Sequence, residues 1–168
     1  MTFEALSRAR YSCRKFKDVP VEPEKLEKIL EIAAAAPTAK NLQPVRLWVL
    51  QSPEALEKAN RTTACGFGAP VIIAVGGKKE DGWTRPFDGR PFADVDAAIV
   101  GTHIMLAATD LGLGSTWVGW FDNVKLAELF PEMRGWDLVA LFPIGYPDAD
   151  PAPKHTLRKP TEELVERL

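Results

Sequence analysis

The chain has 168 residues, 46% of them apolar, and its 21 Lys and Arg against 23 Asp and Glu give a formal charge of -2, which suits one compact domain or one subunit of an oligomer. Balanced charge without a long basic run argues against a nucleic-acid surface, and no stretch approaches the ~20 apolar residues that cross a bilayer, so no membrane anchor is expected. The only cysteines, Cys13 and Cys65, form neither a disulfide framework nor a metal-ligand pattern, and the opening MTFEALSRAR has no apolar signal core, so the reading is a cytoplasmic protein without a metal.

TFEALSRAR reads as a first helix capped by Thr2, with Phe3, Leu6 and Ala9 on one face. VEPEKLEKILEIAAAAP is a second, with Pro23 at its start, Leu26, Ile29, Leu30 and Ala33 on one side and Pro37 as its stop. RLWVLQ is a strand, Ser52 and Pro53 open a helix to about Asn60, and PVIIAVGG is a fully apolar strand. Residues 76–92 follow neither period and make a loop, the candidate lid. The next helix runs through Ala97–Ala108 with almost no polar face beyond Thr102 and His103; it needs cover on all sides, which predicts a homodimer with this helix near the interface. STWVGW reads as a third strand, Asp122 caps a helix to about Phe130, and WDLVALFPIGYP carries a fourth strand. From Pro143 to Pro160 the chain reads as an extended arm ending in a short TEELVERL helix, so 147–168 forms a C-terminal arm. Two helices precede any strand, which favours an α+β layered fold over a doubly wound sheet, in a single domain spanning 1–168.

Arg10, Ser12 and Arg14 alternate in RARYSCRKF. On a helix Ser12 would point away from both arginines; on an extended chain all three face one way. If they act together, the first helix must end near Arg10. Two guanidinium groups and a hydroxyl suit a phosphate, each charged hydrogen bond contributing roughly 1.5–3 kcal/mol. An ordinary basic helix end is the alternative. GFGAPV precedes a strand and carries Pro70, so the dinucleotide fingerprint fails there, and no triphosphate-binding loop exists. In APTAKNLQP, Thr38, Asn41 and Gln43 offer amide and hydroxyl groups for the mixed edge of a heteroaromatic ring, or for their own turn. In GLGSTWVGW, Gly112, Gly114 and Gly119 allow a flat ligand near the backbone, or mark a helix cap before an edge strand.

Taken together, RARYSCRKF, AAAAPTAKNLQPVRLWVL, LAATDLGLGSTWVGWFD, FPIGYP and LRKPTEELV resemble the nitroreductase family of FMN-dependent oxidoreductases over nearly the whole chain. The resemblance implies a three-layer sandwich with a central, mostly antiparallel sheet, an intertwined homodimer with FMN at the subunit interface, and arms embracing the partner. It places Arg10, Ser12 and Arg158 at the FMN phosphate, with Tyr11 beside them, and Arg14 near the pyrimidine end of the flavin. Pro37, Thr38, Ala39, Asn41 and Gln43 match the loop that reaches the flavin, part of it across the dimer. Trp117, Val118 and Gly119 match the strand whose backbone amides approach flavin N5. Lys40 stands where the family often has a small residue, Thr38 replaces a common serine, and Asn60 and Arg61 are only candidates for further flavin contacts.

The activity implied is a ping-pong transfer of electrons from NADH or NADPH to a quinone, nitroaromatic or similar small acceptor; an FMN sensor or storage protein, dehalogenation and flavin fragmentation are the alternatives. The flavin carries the chemistry and no protein residue is catalytic, with Arg14 tuning the potential. His103, Cys13 and Cys65 read as packing residues, and Trp83, Phe87 and Phe92 as pocket walls or loop anchors.

Overall fold

The computed structural model covers residues 1–168. In chain order its elements are α1 (Phe3–Ala9), α2 (Pro23–Ala34), β1 (Val45–Leu50), α3 (Pro53–Asn60), β2 (Val71–Gly77), α4 (Ala93–Asp110), β3 (Gly114–Ser115), α5 (Asn123–Leu129), β4 (Asp137–Gly145) and α6 (Thr161–Leu164). Side-chain oxygens set three helix starts by accepting a first-turn N–H that the helix itself leaves free: Thr2 takes Ala5 (3.3 Å), Ser52 takes Ala55 (3.1 Å) and Asp122 takes Lys125 (2.9 Å). α2 begins on Pro23, whose missing N–H is no loss at that position.

The four strands form one antiparallel sheet in the order β1-β2-β4-β3. Every residue of β2 is buried, and its alternation feeds two cores. Val71, Ile73 and Val75, with Ala140, Phe142 and Ile144 of β4, pack on Leu26, Ile29 and Ala33 of α2 and on Ala97, Val100 and Ile104 of α4. Ile72, Ala74 and Leu141 pack on the other side against Ala59 of α3 and Leu126 of α5. The result is a helix–sheet–helix sandwich of the α+β class, in which each fully buried large aliphatic side chain contributes roughly 1.5–3 kcal/mol.

Four expectations are refined by this arrangement. STWVGW is not a continuous strand: β3 stops at Ser115 and Val118 returns as an isolated bridge to Leu141. The register itself is unbroken, with Gly114 opposite Gly145, Ser115 opposite Ile144 and Val118 opposite Leu141; the gap falls opposite Pro143, which has no N–H to offer Thr116. Pro143 therefore belongs to β4, and the arm begins after it. The terminal helix is a single turn, Thr161–Leu164. Gly76 and Gly77 belong to β2, so the candidate lid starts later; it folds as a small hairpin with Thr84 bridged to Pro91 and Trp83 edge-on to Phe92 at 5.0 Å. These two rings anchor the loop, while Phe87 stands at its tip, 94% exposed.

α4 buries Ala97, Val100, Gly101, Ile104, Ala107 and Ala108, while Ile99, His103, Met105 and Leu106 stay half-buried in the single chain. His103 turns inward along its own helix, with Nδ1 3.0 Å from the Ile99 carbonyl. The helix ends in Gly112 at φ 77°, a conformation that glycine adopts without strain.

Candidate functional site

α1 ends at Ala9 and Arg10 is already extended (φ -60°, ψ 127°). The chain then runs beside β3: Ser12 forms a parallel bridge with Ser115, and the Cys13 N–H donates to the Ser115 carbonyl at 3.0 Å. Gly114 permits this approach, since a Cβ there would fall 2.8 Å from Cys13 Cβ and 2.9 Å from its Sγ. In this extended conformation Cys13 points into the core, its thiol donating to the Lys15 carbonyl (3.1 Å), while Arg10, Ser12 and Arg14 face a common pocket.

That pocket, about 230 Å³, is lined by Arg10, Tyr11, Ser12 and Arg14 from the N-terminal stretch and by Ala152, Lys154, His155 and Arg158 from the arm. It holds four fixed cations, a histidine, a phenol and a hydroxyl, and no carboxylate. The arm is fastened here by Tyr11, whose hydroxyl donates to the Ala149 carbonyl (2.9 Å), and by Asp148, which pairs with Lys15 (2.7 Å) and donates its N–H to the Lys15 carbonyl (3.0 Å). Farther out, His155 Nε2 lies 3.0 Å from the Arg8 carbonyl, and Arg158 donates to the carbonyls of His155 and Leu157. Burial, more than the nearby Cys13 and Asp150, pushes the Tyr11 phenol up, so it stays a neutral donor at physiological pH.

Arg14 also lines a second pocket of about 140 Å³ with Cys65, Phe67, Thr116, Trp117, Val118, Gly119 and Trp120. One guanidinium thus joins a cation-lined cavity to one walled by aromatic rings and backbone. The Val118 N–H is committed to the Leu141 carbonyl (2.9 Å), whereas the Gly119 N–H takes no backbone acceptor; of the two amides singled out in the sequence, only that of Gly119 is free. Phe67 sits between two glycines with φ 54°, a left-handed conformation uncommon outside glycine. Ser115 Oγ, on the residue bridged to Ser12, is buried without a protein partner.

The remaining predicted residues lie elsewhere. Pro37, Thr38, Ala39, Asn41 and Gln43 lead into β1, at the opposite sheet edge from β3. Their loop is wound tightly: Lys40, Asn41 and Gln43 all have positive φ (53°, 55° and 53°). Thr38 Oγ1 accepts the Gln43 N–H (3.0 Å), and the Ala39 N–H donates to Oδ1 of buried Asp96 (2.9 Å), whose Oδ2 has no partner. Such backbone strain is held in place by its surroundings and concentrates at functional sites. Thr38 and Gln43 line a third depression of about 230 Å³ with Ala33, Ala36, Val45 and Val100. Asn60 and Arg61 line none of these three pockets.

Sequence reasoning missed Lys154, His155, Cys65 and Phe67. The first two sit in a proline-rich arm without periodicity, though their closeness to Arg158 was a cue; Phe67, held left-handed between Gly66 and Gly68, marked a special turn.

The donor set suits FMN: a phosphate dianion meets cations, hydroxyls and no acid in the first pocket, and Arg14 leads from there to a narrow, ring-walled space. A nitroreductase family protein of Clostridium difficile is 41% identical and superposes with a TM-score of 0.93, covering 99% of this chain and 98% of that one. A Desulfovibrio desulfuricans protein solved in complex with FMN is 26% identical, with a TM-score of 0.83 over 100% of this chain and 97% of that one. A Methanothermobacter thermautotrophicus relative carrying the name NADH dehydrogenase/NAD(P)H nitroreductase is 32% identical over 151 residues, 86% of this chain and 76% of its own. The nitroreductase family model matches residues 7–67 and 62–146, and the chain belongs to that family.

Proposed function

We propose that this chain is an FMN-dependent oxidoreductase that takes electrons from NADH or NADPH and passes them to a quinone, nitroaromatic or similar small acceptor in a ping-pong cycle. The observation that carries this reading is Arg14, shared between the cation-lined pocket and the pocket of Phe67, Trp117 and Gly119. Arg10, Ser12, Lys154 and Arg158 would hold the phosphate through charge-assisted hydrogen bonds. When bound, the flavin supplies the hydride-accepting and hydride-donating centre. Arg14 holds a positive charge at the junction of the two pockets, so it favours the more negative oxidation state of the ring beside it. The free N–H of Gly119 offers a hydrogen-bond donor on the wall of the ring pocket.

The functional unit in this reading is a homodimer with FMN at the interface. Thr38, Asn41 and Gln43 stand at the opposite sheet edge from Arg10 and Arg14, which supports a ring reached from two chains. The half-buried Ile99, His103 and Leu106 of α4 and the exposed Phe3, Leu157 and Leu164 offer apolar surface for the second copy. No helix is long and apolar enough to cross a membrane, and both cysteines are free thiols; together they support a cytoplasmic enzyme.

The test is direct. Purified protein is titrated with FMN by fluorescence quenching, reduced anaerobically with NADH or NADPH, and mixed with menadione or a nitrobenzoate. Tight FMN binding, reduction and rapid reoxidation by the acceptor are expected. Absence of FMN binding refutes the reading, and binding without reduction or acceptor-driven reoxidation replaces turnover with storage or sensing.

A further inference from the structure

We infer that His155 is a phosphate-binding residue of the basic pocket and that it takes up a proton when the phosphate arrives. The inference rests on the FMN reading above and adds to it a residue and a proton.

The argument begins with the ring's tautomer. His155 Nε2 lies 3.0 Å from the Arg8 carbonyl oxygen, at the end of α1. A carbonyl can only accept, so Nε2 carries a proton in either charge state of the ring. In neutral imidazole, Nδ1 is then a bare lone pair, and no protein group satisfies it. The ring lines the same pocket as Arg10, Ser12, Arg14 and Arg158. A lone pair facing a phosphate oxygen is repulsive, whereas a protonated Nδ1 becomes a charge-assisted donor. The Nε2 bond holds the ring in place for either state.

The groups around the ring decide what a bound anion meets there. From α1 and the stretch after it come Arg8, paired with Glu4 at 3.1 Å, then Arg10, Arg14 and Tyr11, whose ring stands edge-on to the imidazole at 6.0 Å, with buried Cys13 behind. The arm supplies Asp150, Lys154 and Arg158. A phosphate dianion among these groups favours the protonated ring, because its charge and an Nδ1–H donor both meet the anion. Among these groups only the imidazole changes charge in the neutral range by its ordinary chemistry. Proton uptake on binding makes affinity greatest at lower pH, and it is lost as pH rises through the value of the liganded ring. A phosphate's own second ionisation, near pH 6, pulls the opposite way but is already about three-quarters complete at pH 6.5 and about nine-tenths at pH 7, so it changes little between about pH 6.5 and 8.

The test measures the FMN dissociation constant by fluorescence quenching from pH 6.5 to 8 for wild type, His155→Gln and His155→Arg, with riboflavin as the ligand lacking phosphate. Gln keeps a donor for the Arg8 carbonyl but cannot titrate; Arg is a permanent cation. Wild-type affinity for FMN is expected to fall about tenfold across this window, since one linked proton changes affinity by up to tenfold per pH unit. His155→Gln is expected to bind weakly and flatly, His155→Arg tightly and flatly, and riboflavin without pH dependence in all three. Calorimetry in two buffers of different ionisation enthalpy should show proton uptake with FMN in wild type only. Parallel pH profiles for wild type and His155→Gln, or the same slope with riboflavin, overturn the role of His155 while leaving the FMN reading intact. Failure of wild type to bind FMN at any pH overturns both.

Discussion

Gly101→Ala tests how the helix layer supports the ring pocket. Gly101 lies on α4 where the helix crosses β4, and a Cβ there would fall 2.6 Å from Phe142 Cζ and 2.9 Å from Trp117 Cζ3. Ordinary carbon contacts are about 3.5–4.0 Å, so the rings must retreat by roughly 0.6–0.9 Å. Neither moves freely: Phe142 is fully buried, and the two rings pack edge-to-face with centroids 5.0 Å apart. Overpacking destabilises by roughly 1–3 kcal/mol; a clash with two packed rings, one of them fully buried, puts this site in the upper half of that range, roughly 2–3 kcal/mol, and about 1 kcal/mol of better helix propensity offsets it. A net loss of about 1–2 kcal/mol is expected, a melting temperature lower by about 2–8 °C for a domain of this length. Urea denaturation followed by tryptophan fluorescence measures the first, and near-UV circular dichroism reports the displaced Trp117–Phe142 pair. Phe142→Leu removes the offending ring atoms, so Gly101→Ala should be milder by at least about 0.5 kcal/mol in that background. Wild-type stability in Gly101→Ala, or strict additivity with Phe142→Leu, would refute the steric argument.

Other tests address the ligand and the arm. Arg10→Ala removes a charged donor from the phosphate pocket and should weaken FMN binding by roughly 10- to 150-fold, the equivalent of about 1.5–3 kcal/mol, with riboflavin binding unchanged; equal losses for both ligands would place Arg10 elsewhere. Arg14→Ala should lower the potential of bound flavin by on the order of 30 mV, about 1.4 kcal/mol for a two-electron couple, and an unchanged redox titration removes Arg14 from tuning. Asp148 is held below its ordinary value of 3.8 by its hydrogen bond and charge pairing with Lys15. A lowered carboxylate stabilises the fold above its unfolded value and loses that contribution as pH falls through the folded one. Asp148→Asn should therefore melt earlier than wild type at pH 7, with the gap closing below the ordinary carboxylate range; a gap that persists in acid shows another cause.

Much of the local architecture was legible because its causes are local. Thr2, Ser52 and Asp122 announce their helices by cap chemistry that depends on three or four neighbours. The alternation of Arg10, Ser12 and Arg14 pointed to an extended stretch, and the chain leaves α1 one residue before it. The third strand was overread because alternation in STWVGW says nothing about Pro143, its partner twenty-odd residues away and unable to donate. His155 escaped notice for a related reason: its bond to Arg8 spans 147 positions, and nothing in a proline-rich arm foretells where it will dock. The separation of the Thr38–Gln43 loop from Arg14 likewise depends on strand order, which emerges only once β1 takes one edge of the sheet and β3 the other.

The arm's fastening has a kinetic consequence. Between Ala149 and Arg158 it reaches the rest of the chain through the Tyr11 hydroxyl and the His155 ring, with no share in the sheet. Segments held by so few bonds detach at free energies well below that of global unfolding. Peeling this strap back uncovers Arg10 and Ser12 while both cores stay closed, so the residence time of any anion there follows local fraying, and amide exchange in residues 149–158 should slow when the pocket is filled.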